Sequence, residues 1–140
     1  MSKLPISREQ ALELVKKYNS NKSDLNHYLE SEAVMRKLAR HLGEDEDYWG
    51  ILGLVHDIDW EITKDNVETH LTKAPEILKG VGFDNEFIEL ILSHGYGFEE
   101  LPHLKDKTRT KKIEHALAAS ETITGLIHAY ALMRGSKVSD

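Results

Sequence analysis

The stretch of residues 44–57 constrains the fold more than any other part of the chain. It opens with four consecutive acids at 44–47, which are favourable at the positive end of a helix dipole. The residues that follow are apolar on nearly every side of a helix and include the uninterrupted run from Ile51 to Val55. A helix of this kind has no face suited to water, so other elements must surround it. We therefore predict a buried central helix that ends near Asp57.

The rest of the sequence predicts further helices around this one. A capping box at Ser7 and Gln10 begins a helix that runs to about Tyr18. Capping residues, glycines and apolar spacing predict further helices over residues 23–42, 67–79, 85–94 and 110–133. Pro75 falls inside one of these and marks a kink or a break. We expect an all-α bundle of about six helices, a single domain over 1–140 with its core at about 24–134 and the N-terminal helix packed on it.

Composition excludes several classes of function. A chain of 140 residues suits one domain with a workable core, and it has no run of about 18 apolar residues that would cross a membrane. A net charge of −6 argues against general nucleic-acid binding, which usually needs a basic face. The chain has no cysteine, so any metal must be held by nitrogen and oxygen. No signal peptide is evident at the N-terminus, and a cytoplasmic location is the default expectation.

Metal-binding side chains lie on the apolar faces of several predicted helices. One inward-facing histidine is usually a hydrogen-bonded core residue. Four histidines and two acids in one small core are better explained by a common ligand. Imidazole and carboxylate together suit divalent metals such as Fe, Mn, Zn, Co or Mg. We therefore predict a site for one or two divalent ions. The candidate ligands are His27, His56, Asp57, His70, His94 and Glu121.

Three motifs carry a resemblance to a known family. They are the segment 53–60 (GLVHDIDW), the segment 68–78 (ETHLTKAPEIL) and the segment 116–127 (ALAASETITGLI). With a histidine upstream at 27, this ordered series resembles the HD superfamily of metal-dependent phosphohydrolases, and it is most similar to the small stand-alone hydrolases of that superfamily. The resemblance implies an HD-type helical bundle over about residues 24–134.

The same resemblance implies roles for the ligands. The first metal would be held by the acid at position 121 together with His27, His56 and Asp57. The positions of His70 and His94 hold a second ion in the two-metal branches, and the aspartate would then bridge both ions.

Two positions depart from the family pattern. Glu121 stands where aspartate is usual, so it either binds the metal with a longer side chain or hydrogen-bonds to a bound water. Asp59 stands where glycine is usual and could orient a histidine ligand from behind.

The resemblance further implies hydrolysis of a phosphate ester, of a nucleotide or a similar small molecule, by a metal-activated water. Asp57 is expected to orient that water, and Asp59 or Glu121 to take a proton. Three basic residues are candidate phosphate contacts, namely Lys73, Lys111 and Lys112.

Two other functions fit the same residues. Some HD-fold proteins use an iron pair to cleave C–C or C–P bonds with oxygen, and the six candidate ligands would allow this. The third reading is a non-catalytic ligand-binding or metal-binding module, in which the change to Glu121 reflects a relaxed function. Iron content and oxygen consumption separate the first reading from the second, and absence of bound metal would favour the third.

Overall fold

The computed structural model describes residues 3–133, with side chains as far as Thr124, and within that part of the chain no strand occurs. The prediction of an all-α protein is therefore confirmed. Two short 3-10 helices, Val67–Thr69 and Ser93–Gly95, lie among the α-helices. The α-helices are α1 (Arg8–Tyr18), α2 (Lys22–Leu42), α3 (Glu46–Val55), α4 (Trp60–Thr63), α5 (Ala74–Gly80), α6 (Asn85–Leu92) and α7 (Lys112–Met133).

Local capping fixes where most helices begin. The predicted capping box at Ser7 opens α1, with both reciprocal hydrogen bonds to Gln10. The side chain of Asn21 caps α2, slightly ahead of the predicted start, and Asp45 caps α3. Helix α2 ends at Gly43, whose φ of 71° is a left-handed conformation that glycine adopts without a steric penalty.

Helix α3 is the centre of the core, as predicted. Every residue from Tyr48 to Val55 is buried. Helix α2 packs along it, and α1 and α7 also contact it. The two backbones lie close together at Gly53, where an added Cβ would lie 2.7 Å from the backbone oxygen of Ser31. Only glycine lets α2 and α3 come this near, and the end of α3 is thereby held against α2.

The predicted helix over 67–79 is wrong for its first half, and its second half is confirmed from residue 74 onward. Val67–Thr69 forms a 3-10 turn, Leu71 has a φ of 69°, and α5 begins only at Ala74. Pro75 lies in the first turn of α5, where its missing N–H has no helical partner to lose. The proline thus sets the start of a helix.

Smaller differences concern the ends of predicted helices and the connection after α3. Helix α3 ends at Val55, so His56 and Asp57 lie in the turn that follows. A single helical turn, α4, occupies part of the predicted connection between residues 59 and 66. No α-helix among residues 3–133 is both long and apolar enough to cross a membrane.

Candidate metal centre

The turn after α3 presents one nitrogen of His56 to the interior. Its Nδ1 lies 2.7 Å from the backbone oxygen of Gly53, and a carbonyl can only accept, so Nδ1 carries the hydrogen. Nε2 of the same ring is buried and makes no hydrogen bond within the described structure. A buried polar atom without a partner is costly unless a ligand binds there. The ring is therefore held in the orientation that a metal ligand needs.

Asp57 is the point where the histidines converge. Its Oδ1 lies 3.0 Å from Nε2 of His70 and 2.9 Å from Nε2 of His94, and its Oδ2 lies 3.4 Å from Nε2 of His56. His94, in the 3-10 turn after α6, repeats the arrangement of His56, because its Nδ1 lies 2.6 Å from the backbone oxygen of Ile91. Both rings are thus fixed by a carbonyl on one side and offer Nε2 on the other.

His70 is held from behind by Asp59. The Oδ1 atom of Asp59 lies 2.8 Å from Nδ1 of His70, and Oδ2 accepts the backbone N–H groups of Lys73 and Ala74. Asp59 is fully buried and does not line the pocket above the histidines. The catalytic role predicted for Asp59 therefore does not fit its position, whereas the expectation that it orients a histidine does.

His27 is oriented by a residue that the sequence did not single out. The Thr124 hydroxyl donates to the backbone oxygen of Glu121, so it accepts from Nδ1 of His27 at 3.1 Å. Nδ1 of all four histidines thus faces an acceptor, and this leaves Nε2 for the site. Thr124 could have been recognised as a neighbour of the site because it lies one helical turn beyond Glu121, on the same face of α7.

Two groups of ligand atoms result, and they share one carboxylate. The structure brings all six predicted ligands together, and the atoms of each group lie within 4.8 Å of one another. The nitrogen and oxygen donors suit Fe, Mn, Zn or Co, and the unpartnered Nε2 of His56 is the atom that a metal would satisfy. The first group is His27, His56, Asp57 and Glu121, and the second is Asp57, His70 and His94.

The carboxylates dominate the electrostatics of this centre. Burial lowers the pKa of His56, but the adjacent Asp57 outweighs it and raises this pKa to about 9. Burial likewise lowers the pKa of His70, and Asp57 and Asp59 together raise it to about 10. The pKa of Asp57 is well below its usual value, because the three histidines around it outweigh its burial. The centre thus favours positive charge, supplied by protons or by metal ions.

A cavity of about 470 Å³ lies over both groups, within the usual range for small-molecule sites. All the predicted metal ligands except the fully buried His56 line it. Its more exposed lining includes Val67, Phe98 and Glu100. The pocket therefore connects the ligand groups to solvent.

The three predicted phosphate-binding lysines do not lie at this pocket. Lys111 and Lys112 line a separate cavity of about 300 Å³, and Lys112 pairs with Glu44 at 2.7 Å. They lie at the start of α7, about nine residues from Glu121, or roughly 14 Å along a helix. Lys73 is exposed. Its backbone N–H, and not its side chain, donates the hydrogen bond to Asp59.

Comparison with known proteins gives one match. The family model described as HD domain matches residues 24–126, which is most of the chain. Among curated proteins and among solved structures, none matches this chain.

Proposed function

Because this chain belongs to the HD domain family, we propose that it is a metal-dependent phosphohydrolase that acts on a nucleotide or a similar small phosphate ester. The family is one of metal-dependent hydrolases, and HD domains bind divalent metals. The observation that carries the proposal is that Asp57 belongs to both groups of ligand atoms. A shared carboxylate is the arrangement expected where two ions act on one phosphate group.

The residues divide between the two ions. His27, His56 and Glu121 would hold one ion, His70 and His94 the other, with the shared aspartate between them. When bound, such ions lower the pKa of a coordinated water and polarise the phosphoryl oxygens.

The chain's own residues supply orientation and charge. The backbone oxygens of Gly53 and Ile91 fix the rings of His56 and His94, so that these ligands need no rearrangement when an ion binds. Glu121 is half-buried and completes the first group despite replacing the usual aspartate, because its added methylene extends its reach. A carboxylate at this position can also take the proton that leaves the attacking water.

Metal content and activity of one variant test the proposal. We expect the purified chain to bind a divalent metal, to melt at a higher temperature with Mn²⁺, Co²⁺, Fe²⁺ or Zn²⁺, and to hydrolyse small phosphate esters. The His56→Ala variant should lose the metal, the stabilisation and the activity. His103→Ala is the matched control, because His103 is exposed in a loop and does not line the pocket. A His56→Ala protein with unchanged metal content and activity would refute the site.

A di-iron oxygenase is the second candidate, and the same observation favours it, because two nitrogen-rich groups that share a carboxylate also suit an iron pair. This function predicts iron in the protein as isolated, visible colour and consumption of oxygen with substrate. A colourless, iron-free protein that hydrolyses phosphate esters excludes it. A chain that binds no metal and is not stabilised by added metal would instead be a non-catalytic module.

A further inference from the structure

Neither lysine nor arginine occurs among the described residues that line the pocket over the metal-binding groups. Its ionisable members are three histidines and four carboxylates, and the carboxylates are Asp24, Asp57, Glu100 and Glu121. A phosphate group in this pocket would therefore find positive charge only at the bound ions. A second phosphate would meet no lysine or arginine there.

Two of these carboxylates, Asp24 and Glu100, belong to neither group of ligand atoms. Asp24 is half-buried on α2, one turn before His27, and Glu100 is exposed in the loop after the second 3-10 turn. In the described structure neither forms an ion pair with a lysine or an arginine. Neither carboxylate is therefore neutralised by a lysine or arginine side chain.

Aromatic side chains line the same pocket. Trp60 is half-buried and packs edge-on against the ring of His70, and Phe98 has half of its surface exposed. An aromatic face attracts an organic cation, and a nearby carboxylate adds to that attraction. The pocket lining therefore suits a ligand with an apolar group that carries a positive charge.

A buried ring nitrogen next to the pocket lacks a hydrogen bond. His56 is fully buried, its Nε2 makes no hydrogen bond, and it lies in one group with the pocket-lining His27, Asp57 and Glu121. A ligand that satisfies this nitrogen would bind next to the pocket that the four carboxylates line.

We propose that the substrate is a phosphate monoester whose organic part is a small apolar group bearing an ammonium, and that the pocket selects against nucleoside di- and triphosphates. This inference rests on the proposed function, since the phosphate would bind at the two ligand groups. Water adds to phosphorus, the bond from phosphorus to the alcohol oxygen breaks, and the amino alcohol leaves with a proton. The ammonium lies near Asp24 and Glu100, and the apolar body lies against Trp60 and Phe98.

A pair of isosteric esters tests the inference on the metal-loaded full chain. The compounds 4-(aminomethyl)phenyl phosphate and 4-ethylphenyl phosphate differ only in an ammonium against a methyl group. We expect kcat/KM for the ammonium ester to be about tenfold higher, the scale that one or two partly exposed ion pairs supply. Asp24→Asn and Glu100→Gln should each lower this ratio about threefold. Glu99→Gln is the matched control, because Glu99 is an exposed acid of equal charge that does not line the pocket.

The outcomes separate this inference from the proposed function. If both esters are hydrolysed equally well, or if neither pocket variant changes the ratio, the inference is overturned and the hydrolase stands. If neither ester is hydrolysed, the hydrolase fails, and the dissociation constants of the two esters decide the inference. Tighter binding of the ammonium ester that weakens in Asp24→Asn supports it, and equal binding overturns it.

Discussion

Replacing Gly53 by alanine tests how the fold positions the metal centre. The new Cβ would lie 2.7 Å from the backbone oxygen of Ser31 and 3.0 Å from Cγ of Met35. A comfortable carbon–oxygen contact is about 3.3 Å or longer. Helices α2 and α3 must therefore move apart by roughly 0.6 Å, because a helical backbone carbonyl cannot turn aside as a flexible side chain can. Overpacking of this kind typically costs about 1–3 kcal/mol.

The gain in helix propensity offsets part of this cost. Alanine is better than glycine inside a helix by about 1 kcal/mol. We expect a net loss of up to about 2 kcal/mol in the free energy of unfolding, measured by urea denaturation of metal-free protein. Gly80→Ala is the control, since an added Cβ at Gly80 meets nothing within 4 Å and its φ is not positive. That variant should be as stable as the parent chain or slightly more stable.

The same substitution should weaken metal binding. On α3, the carbonyl of Gly53 fixes the ring of His56, and the ligand His27 lies on the neighbouring helix α2. Separation of the helices moves these two ligands apart, so added metal should raise the melting temperature less than in the Gly80→Ala protein. The reasoning is refuted if Gly53→Ala matches Gly80→Ala both in stability and in its response to metal.

Three further predictions concern side chains around the centre and at the start of α7. The Glu114 carboxylate accepts two backbone N–H bonds there, which outweigh burial and lower its pKa. The ionised Glu114 side chain therefore stabilises the fold fully above its ordinary pKa of about 4.5, and this stabilisation is lost as the pH falls below that value. Glu114→Gln should lower the free energy of unfolding by about 1 kcal/mol at pH 7 and by less at pH 3. Urea titration at both pH values measures the difference. Asp59→Asn should keep the fold but weaken metal binding about 10- to 100-fold by calorimetry, because Nδ1 of His70 loses its charged partner. Unchanged affinity would contradict this role. Tyr28→Phe should cost about 1–3 kcal/mol by urea denaturation, because it leaves the buried Asn19 side-chain oxygen without its donor, and a neutral effect would show that this bond contributes little.

Local signals in the sequence predicted much of the fold. The central position of α3 follows from its apolar run. The all-α class follows from capping residues, glycines and apolar spacing along the chain, and the start of α1 follows from the capping box at Ser7. These features depend on residues close together in sequence, so they could be predicted without knowledge of the rest of the chain.

The region around His70 could not be predicted in this way. The apolar spacing there favoured a helix, but Leu71 takes a left-handed conformation and the side chain of Asp59 binds the backbone at Lys73 and Ala74. These contacts span 14 and 15 residues and outweigh the local propensity.

In the candidate site, too, local features could be predicted and long-range positions could not. The six metal-binding residues could be recognised because they lie on or beside apolar helical faces, and the structure brings all six together. The positions of Lys111 and Lys112 depend on which end of α7 packs near the end of α3. The charge of these residues in the sequence does not reveal that packing.

The first group of ligand atoms draws on positions 27, 56, 57 and 121, which span most of the segment that matches the family. Only two of the four are neighbours in the chain, so a partly folded polypeptide cannot gather them, and the entropy of closing such long loops opposes a chance encounter. Metal uptake by this group would then report on completed folding, because α2, α3 and α7 must all be docked before the ion is held. Release of the ion during heating should accompany the loss of tertiary structure, and a chelator should lower the melting temperature of the metal-loaded chain to that of the metal-free protein.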